Sequence, residues 1–176
     1  MDAPTHAPAT AAPKTAPPTW DLRDLYPAID SPKIERDLKS AAREAVAFEK
    51  RYRGRLAKMS GDALAGAIAA YEKLQDKIGR LQSYAGLLFA ADMSDPRIGQ
   101  FHQTVQEKVT SLTTHLLFFA LELNRIPEAA LKKKFASRRL ARYRPWLRDI
   151  RVFRDYQLDQ KLEELLHEKL VSGRNA

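Results

Sequence analysis

The sequence predicts an all-α fold: an antiparallel bundle of three long helices followed by shorter helices, behind a disordered Pro/Ala-rich N-terminal tail. Three observations support this. Apolar residues recur at intervals of three and four along three successive stretches, the signature of one helical face. A cap residue, followed by proline in two of the three cases, marks where each stretch begins. No segment shows the apolar–polar alternation of a strand, and no unit repeats at the periods of solenoids.

Residues 1–19 are rich in Ala, Pro and Thr and hold almost nothing to bury, so they read as a disordered tail ahead of a helical domain over 20–176. Order is expected to begin with Trp20, Leu22, Leu25 and Tyr26, a strap whose aromatics lie on a helical core. A packing role is favoured there over a ligand-binding aromatic site. Ser31-Pro32 then opens the first helix, with Ile34, Leu38, Ala41, Ala45, Phe48 and Tyr52 on one face and a stop near Gly54. Ser60 caps the second, whose face is Leu64, Ile68, Tyr71, Leu74, Ile78, Leu81, Ala85 and Leu88, ending near Asp92. Gly79 and Gly86 inside it each cost about 1 kcal/mol relative to Ala, which the close approach of a neighbouring helix would explain.

Asp95-Pro96 starts the third helix, expected to run unbroken to Asn124 through Ile98, Phe101, Val105, Val109, Leu112, Leu116, Phe119 and Leu123. Past His115 the apolar set widens to Leu117, Phe118 and Leu121 and needs cover on several sides. Ile98 to Leu112 should pack on the first two helices. Leu116 to Leu123 should depend on later segments and on any further domain. Short connections between long helices favour an up-down-up arrangement. Shorter helices follow, from Pro127 to about Ala136, from Pro145 with Trp146, Leu147, Ile150 and Phe153, and from an Asp159 cap with Leu162, Leu165, Leu166 and Leu170.

The 176 residues, 44% of them hydrophobic, suffice for one core. With no cysteine there is neither a disulfide framework nor a thiolate metal site. The longest uncharged run, Val109 to Leu121, is shorter than the roughly 20 apolar residues a membrane span needs. The N-terminus has no apolar h-region, so it does not read as a signal peptide, and a cytoplasmic location is the default expectation.

The formal charge is +8, and it is unevenly placed. Between Lys132 and Arg154 ten basic residues face Asp149 alone, a local +9 that leaves −1 for the rest. Tyr143, Trp146, Phe153 and Tyr156 interleave with these cations, as in surfaces that bind nucleic acid. Leu140, Tyr143, Leu147 and Ile150 also step along one helical face, which leaves Arg142, Arg144, Arg148 and Arg151 mostly outward. A solvated or internally paired basic face is the favoured reading, and nucleic acid an unlikely partner.

Catalytic motifs are absent: no H-E-x-x-H, nucleophile elbow, phosphate loop or cysteine nucleophile occurs. The histidines at 6, 102, 115 and 167 are scattered. Glu164-x-x-His167 has the spacing of a di-iron half-site, but a second pair and two further carboxylates are missing. No catalytic, cofactor-binding or metal-ligating residue is therefore assigned. Three structural candidates stand out: Trp20 in the strap, Trp146 in the basic segment, and Glu122. Glu122 lies among Phe118, Phe119, Leu121 and Leu123, so it should need a cationic partner, either Arg125 or an arginine of the basic segment that it would anchor.

Read together, TWDLRDLYPAIDSPKIERDL, SYAGLLFAADMSDP, LLFFALEL and YRPWLRDIRVFRDYQLDQKLEELLHEKLVSGRNA resemble, in order, the N-terminal part of oligoendopeptidase F, one of the thimet-oligopeptidase-like zinc metallopeptidases. The similarity runs from about Trp20 to Ala176. It departs from the family at Asp155-Tyr156, where a Pro-His pair is common. The resemblance implies a cytoplasmic zinc enzyme that hydrolyses short peptides, with a helical N-terminal region walling a deep substrate channel. A later catalytic domain would carry H-E-x-x-H and a further glutamate ligand. None of those residues lies in this chain, so alone it is expected to be inactive, its partner being the absent catalytic domain. A stand-alone helical interaction module and a basic nucleic-acid-binding protein are the other readings.

Overall fold

A computed structural model describes residues 20–173, with the side chains of all but 160, 168 and 170–173. The expected tail at 1–19 lies outside the described residues, as does the side chain of Leu170. The described residues form helices and turns with no strand.

Helix α1 spans Pro32–Tyr52, and the Ser31 hydroxyl accepts from the Lys33 amide at 3.4 Å to cap it. All six residues of its apolar face are buried. The chain leaves it through Gly54, whose φ of +74° only glycine adopts without strain. A 3-10 turn at Leu56–Lys58 leads to α2, Gly61–Ala91, where the Ser60 hydroxyl accepts from the Ala63 amide at 3.2 Å. Asp95 accepts from the Arg97 amide at 2.8 Å and starts α3, Pro96–Thr114. These three helices pack on one another pairwise through Ile34, Ala41, Leu74, Ile78, Leu81, Val105 and Val109, each side chain contributing about 1.5–3 kcal/mol on burial if large and apolar.

The third helix is not continuous. It stops at Thr114, and a separate helix α4 runs from Leu117 to Arg125. The cause lies in the hydroxyls. Thr113 donates to the carbonyls of Val109 and Thr110, and Thr114 to that of Thr110, a back-bonding pattern that bends helices. The His115 and Leu116 amides then reach only three residues back, to Leu112 and Thr113. Beyond this interruption, Phe118, Phe119, Leu121 and Leu123 of α4 are all buried, beside the 3-10 turn and the later helices.

Gly79 and Gly86 have no neighbour within 4 Å of where a Cβ would stand, so the expected close helix approach does not occur at either. It occurs at Gly61, where an added Cβ would lie 2.3 Å from the Lys134 carbonyl oxygen and 2.7 Å from Ser137 Cβ. There the start of α2 meets α5, Glu128–Lys134, and α6, Arg138–Ala141. Lys134 Nζ also donates to the Met59 carbonyl, and Ser137 donates to Asp62 Oδ1 at 2.5 Å.

Helix α7, Arg144–Arg151, is followed by a 3-10 turn at Arg154–Tyr156 and by α8, Gln160–Gly173. A helix therefore ends before Asp155-Tyr156 without a Pro-His pair at that position. Asp159 caps α8, accepting from the amides of Lys161 at 2.9 Å and Leu162 at 3.1 Å.

In the strap, Tyr26 is the residue that packs. It is buried, meets Tyr84 edge-on at 5.2 Å, and donates to Asp37 at 2.8 Å. Burial and this bond to a carboxylate push its phenol well above the usual range. Trp20 is 73% exposed, so the strap is fixed by Tyr26, Leu22 and Leu25 rather than by the tryptophan. Among the described residues no helix is long and apolar enough to cross a membrane.

Candidate functional site

The functional features gather at the end of the fold where α4, α7 and α8 meet α1. Its centre is aromatic. Phe119 of α4 stacks on Tyr71 at 4.7 Å and meets Phe48 edge-on at 5.1 Å, and Phe48 lies 5.9 Å from Phe118. Trp146 of α7 closes the group, 6.2 Å from Tyr71, and so ties the basic segment to the core. Leu140, Tyr143 and Leu147 of that segment are also buried, while Arg142, Arg144 and Arg148 point outward as the spacing predicts.

Arg151 does not point outward. Its side chain is 8% exposed, and Nη1 donates to the carbonyls of Leu123 at 2.7 Å and Asn124 at 3.3 Å while Nη2 reaches Glu128 at 3.2 Å. The carbonyls at a helix C-terminus have no partner within the helix, and a buried guanidinium both bonds them and opposes their negative dipole. Arg151, not Glu122, is what joins the basic segment to α4. Glu122 faces the other way: its Oε1 accepts from the Gly54 amide at 2.6 Å and fixes the turn after α1. Its expected pairing with an arginine of the basic segment does not form.

Polar contacts help dock α8. Arg53 at the end of α1 binds Glu49 one turn back and reaches Glu164 of α8 at 2.8 Å. Glu49 Oε2 also accepts from His115 Nδ1 at 2.7 Å, at the bend between α3 and α4. One turn further along α8, His167 Nε2 lies 2.9 Å from the Thr113 hydroxyl. Burial opposes ionisation of Glu49, but the bonds from His115 and Arg53 outweigh it and hold its carboxyl below the usual range. The sequence offers the Glu49/Arg53 spacing as an ordinary intrahelical pair; only the fold adds His115 and Glu164. Among the described residues no group of three or more potential ligands could hold a metal ion. Glu164 and His167 serve as docking contacts with α1 and α3, so these residues do not fit a zinc site.

Beyond those polar contacts the surface is apolar and open. Val152, Phe153 and Tyr156 are 64%, 69% and 82% exposed, and Leu158, Leu162, Leu165 and Leu166 are about half exposed. This row runs from the end of α7 through the turn onto α8. It is an apolar row only partly covered by the described residues.

Comparison with known proteins bears on the same end of the chain. Residues 122–176 match the family described as Oligopeptidase F. Over 155 residues, 85% of the chain, the sequence is 27% identical to oligopeptidase PepF of Bacillus subtilis (strain 168). The chain spans about a fifth, 22%, of that relative's length. No solved structure matches it. The chain is therefore similar to the N-terminal region of oligopeptidase F, the resemblance carried by its own sequence.

Proposed function

We propose that this chain is the N-terminal helical region of a zinc-dependent oligopeptidase, forming part of the wall that admits short extended peptides and excludes folded proteins. The observation that carries this reading is that the partly exposed apolar row from Val152 to Leu166 lies within the segment, residues 122–176, that matches Oligopeptidase F. A surface of that kind is what a helical layer presents to the body of the enzyme. Zinc and its ligands belong, on this reading, to the part of the enzyme outside these residues. The location is proposed to be cytoplasmic.

Two tests bear on it. The purified 176-residue chain is expected to leave a quenched oligopeptide intact, and hydrolysis abolished by a chelator would overturn the division of labour. A reading frame continuing beyond Ala176 to an H-E-x-x-H codon set is expected; a stop codon there contradicts the reading and favours the stand-alone interaction module, which the same uncovered row also supports.

A further inference from the structure

A groove of about 590 Å³ lies between α5 and α7, within the size range of small-ligand clefts. Leu131 and Leu147, both buried, line it with Val152. Its cations are not equivalent. Arg151 is committed to α4 and Glu128, and Arg148 and Arg154 bind the neighbouring Asp149 and Asp155 at 2.9 and 3.3 Å. Lys132 and Arg144 have no carboxylate partner among the described residues. Arg144 is nonetheless held in place, its guanidinium 4.9 Å from the centre of the Phe135 ring. Stacking uses the flat face of a guanidinium and leaves its N–H edge free to donate in the bidentate geometry that fits a carboxylate.

We propose that this groove binds a short acidic peptide segment, its carboxylates on Lys132 and Arg144 and an apolar side chain against Leu131, Leu147 and Val152. The inference does not depend on the peptidase reading. Charge complementarity selects an anion, since the segment from Lys132 to Arg154 carries +9 while the rest of the chain carries −1. The aromatics select peptide over nucleic acid. Bases need open ring faces to stack on, but Arg144 lies over Phe135, Arg142 lies 4.6 Å from the centre of the Tyr143 ring, and Trp146 packs on Tyr71. Phe153 and Tyr156 are open but do not line the groove.

The test is a fluorescence-anisotropy titration of the 176-residue chain with a labelled octapeptide of alternating Asp and Leu. The same peptide with Asn for Asp and a short single-stranded oligonucleotide serve as comparison probes. The acidic peptide is expected to bind, the Asn peptide at least about tenfold more weakly, and the pair Lys132→Gln with Arg144→Gln to reduce binding of the acidic peptide about tenfold. Arg138→Gln with Arg139→Gln removes the same charge from exposed positions outside the groove and should change binding less than about threefold. Should Arg144→Gln disturb the fold, as judged by circular dichroism and melting, Lys132→Gln alone decides, with an expected loss of about threefold to fivefold. No binding of the acidic peptide, equal binding of the Asn peptide, or an equal loss in both double variants overturns the proposal. Tighter binding of the oligonucleotide, lost with Lys132 and Arg144, would assign the groove to nucleic acid instead.

Discussion

Helices α1 and α8 present the same kind of pattern and meet opposite fates. The apolar face of α1, from Ile34 to Tyr52, is buried in full by α2, α3 and α4. On α8, which lies beside α3 and α4, Leu162, Leu165 and Leu166 stay about half exposed, and Arg53 and Thr113 add polar contacts to Glu164 and His167. The comparison teaches that amphipathic spacing says which face of a helix is made for burial, not what buries it. Where the partner is present the apolar face carries the stability. Where burial is only partial, polar contacts join the packing and part of the apolar face stays exposed among the described residues.

The sharpest way to break this comparison is to remove one aromatic from each region. Phe119→Ala, emptying a fully buried position between Phe48 and Tyr71, should lower stability by about 3–5 kcal/mol in urea denaturation. Phe153→Ala, at an open position on the uncovered row, should change it by no more than about 0.5 kcal/mol in the isolated chain. Equal losses would mean that the row is packed in solution.

Next in size are the contacts that lock the basic segment. Arg151→Ala takes the guanidinium from the Asn124 carbonyl and leaves that of Leu123 with the Ile126 amide alone, and should cost about 1–3 kcal/mol, whereas Arg148→Ala loses only an exposed pair with Asp149 and should be near neutral. The glycines give a change of sign within one helix. Gly61→Ala drives a methyl into the Lys134 carbonyl and should destabilise by about 1–3 kcal/mol, while Gly79→Ala and Gly86→Ala, facing open space, should each stabilise by about 0.5–1 kcal/mol in thermal melts.

The smallest effect is on pH. Glu49 has its carboxyl pKa lowered in the fold, so its contribution is present above the ordinary glutamate pKa and fades as pH falls through the lowered value. Glu49→Gln should therefore flatten part of the acid limb of a stability-against-pH curve and leave its slope above neutrality unchanged. An unaltered acid limb would show that the docking network does not depend on the charge of Glu49.

Much of this fold was legible in the sequence because local rules decided it. Ser31-Pro32, Ser60, Asp95-Pro96 and Asp159 each mark a helix start that the structure keeps, and the faces of α1 and α2 are buried nearly as their spacing requires. The bend at His115 was hidden in a sound apolar stripe. Its signal was the run Thr110 to Thr114, hydroxyl-bearing residues that compete for the helix carbonyls. Trp20, Glu122 and Arg151 were misread for a different reason: each depended on which distant segment came to lie beside it. Trp20 found no cover, Glu122 met the Gly54 amide, and Arg151 met the end of α4. Gly61 stands at the first position of α2, next to the Ser60 cap, and it, rather than Gly79 or Gly86, is where two backbones meet.

Native-state hydrogen exchange on the isolated 176-residue chain tests the central claim most directly. The account predicts that core amides of α1, α2 and α3 exchange only through global unfolding, while those of α8 exchange at least about a hundredfold faster through local opening. Protection of α8 equal to that of α1 would contradict it, showing that the helix needs no further partner to complete its fold.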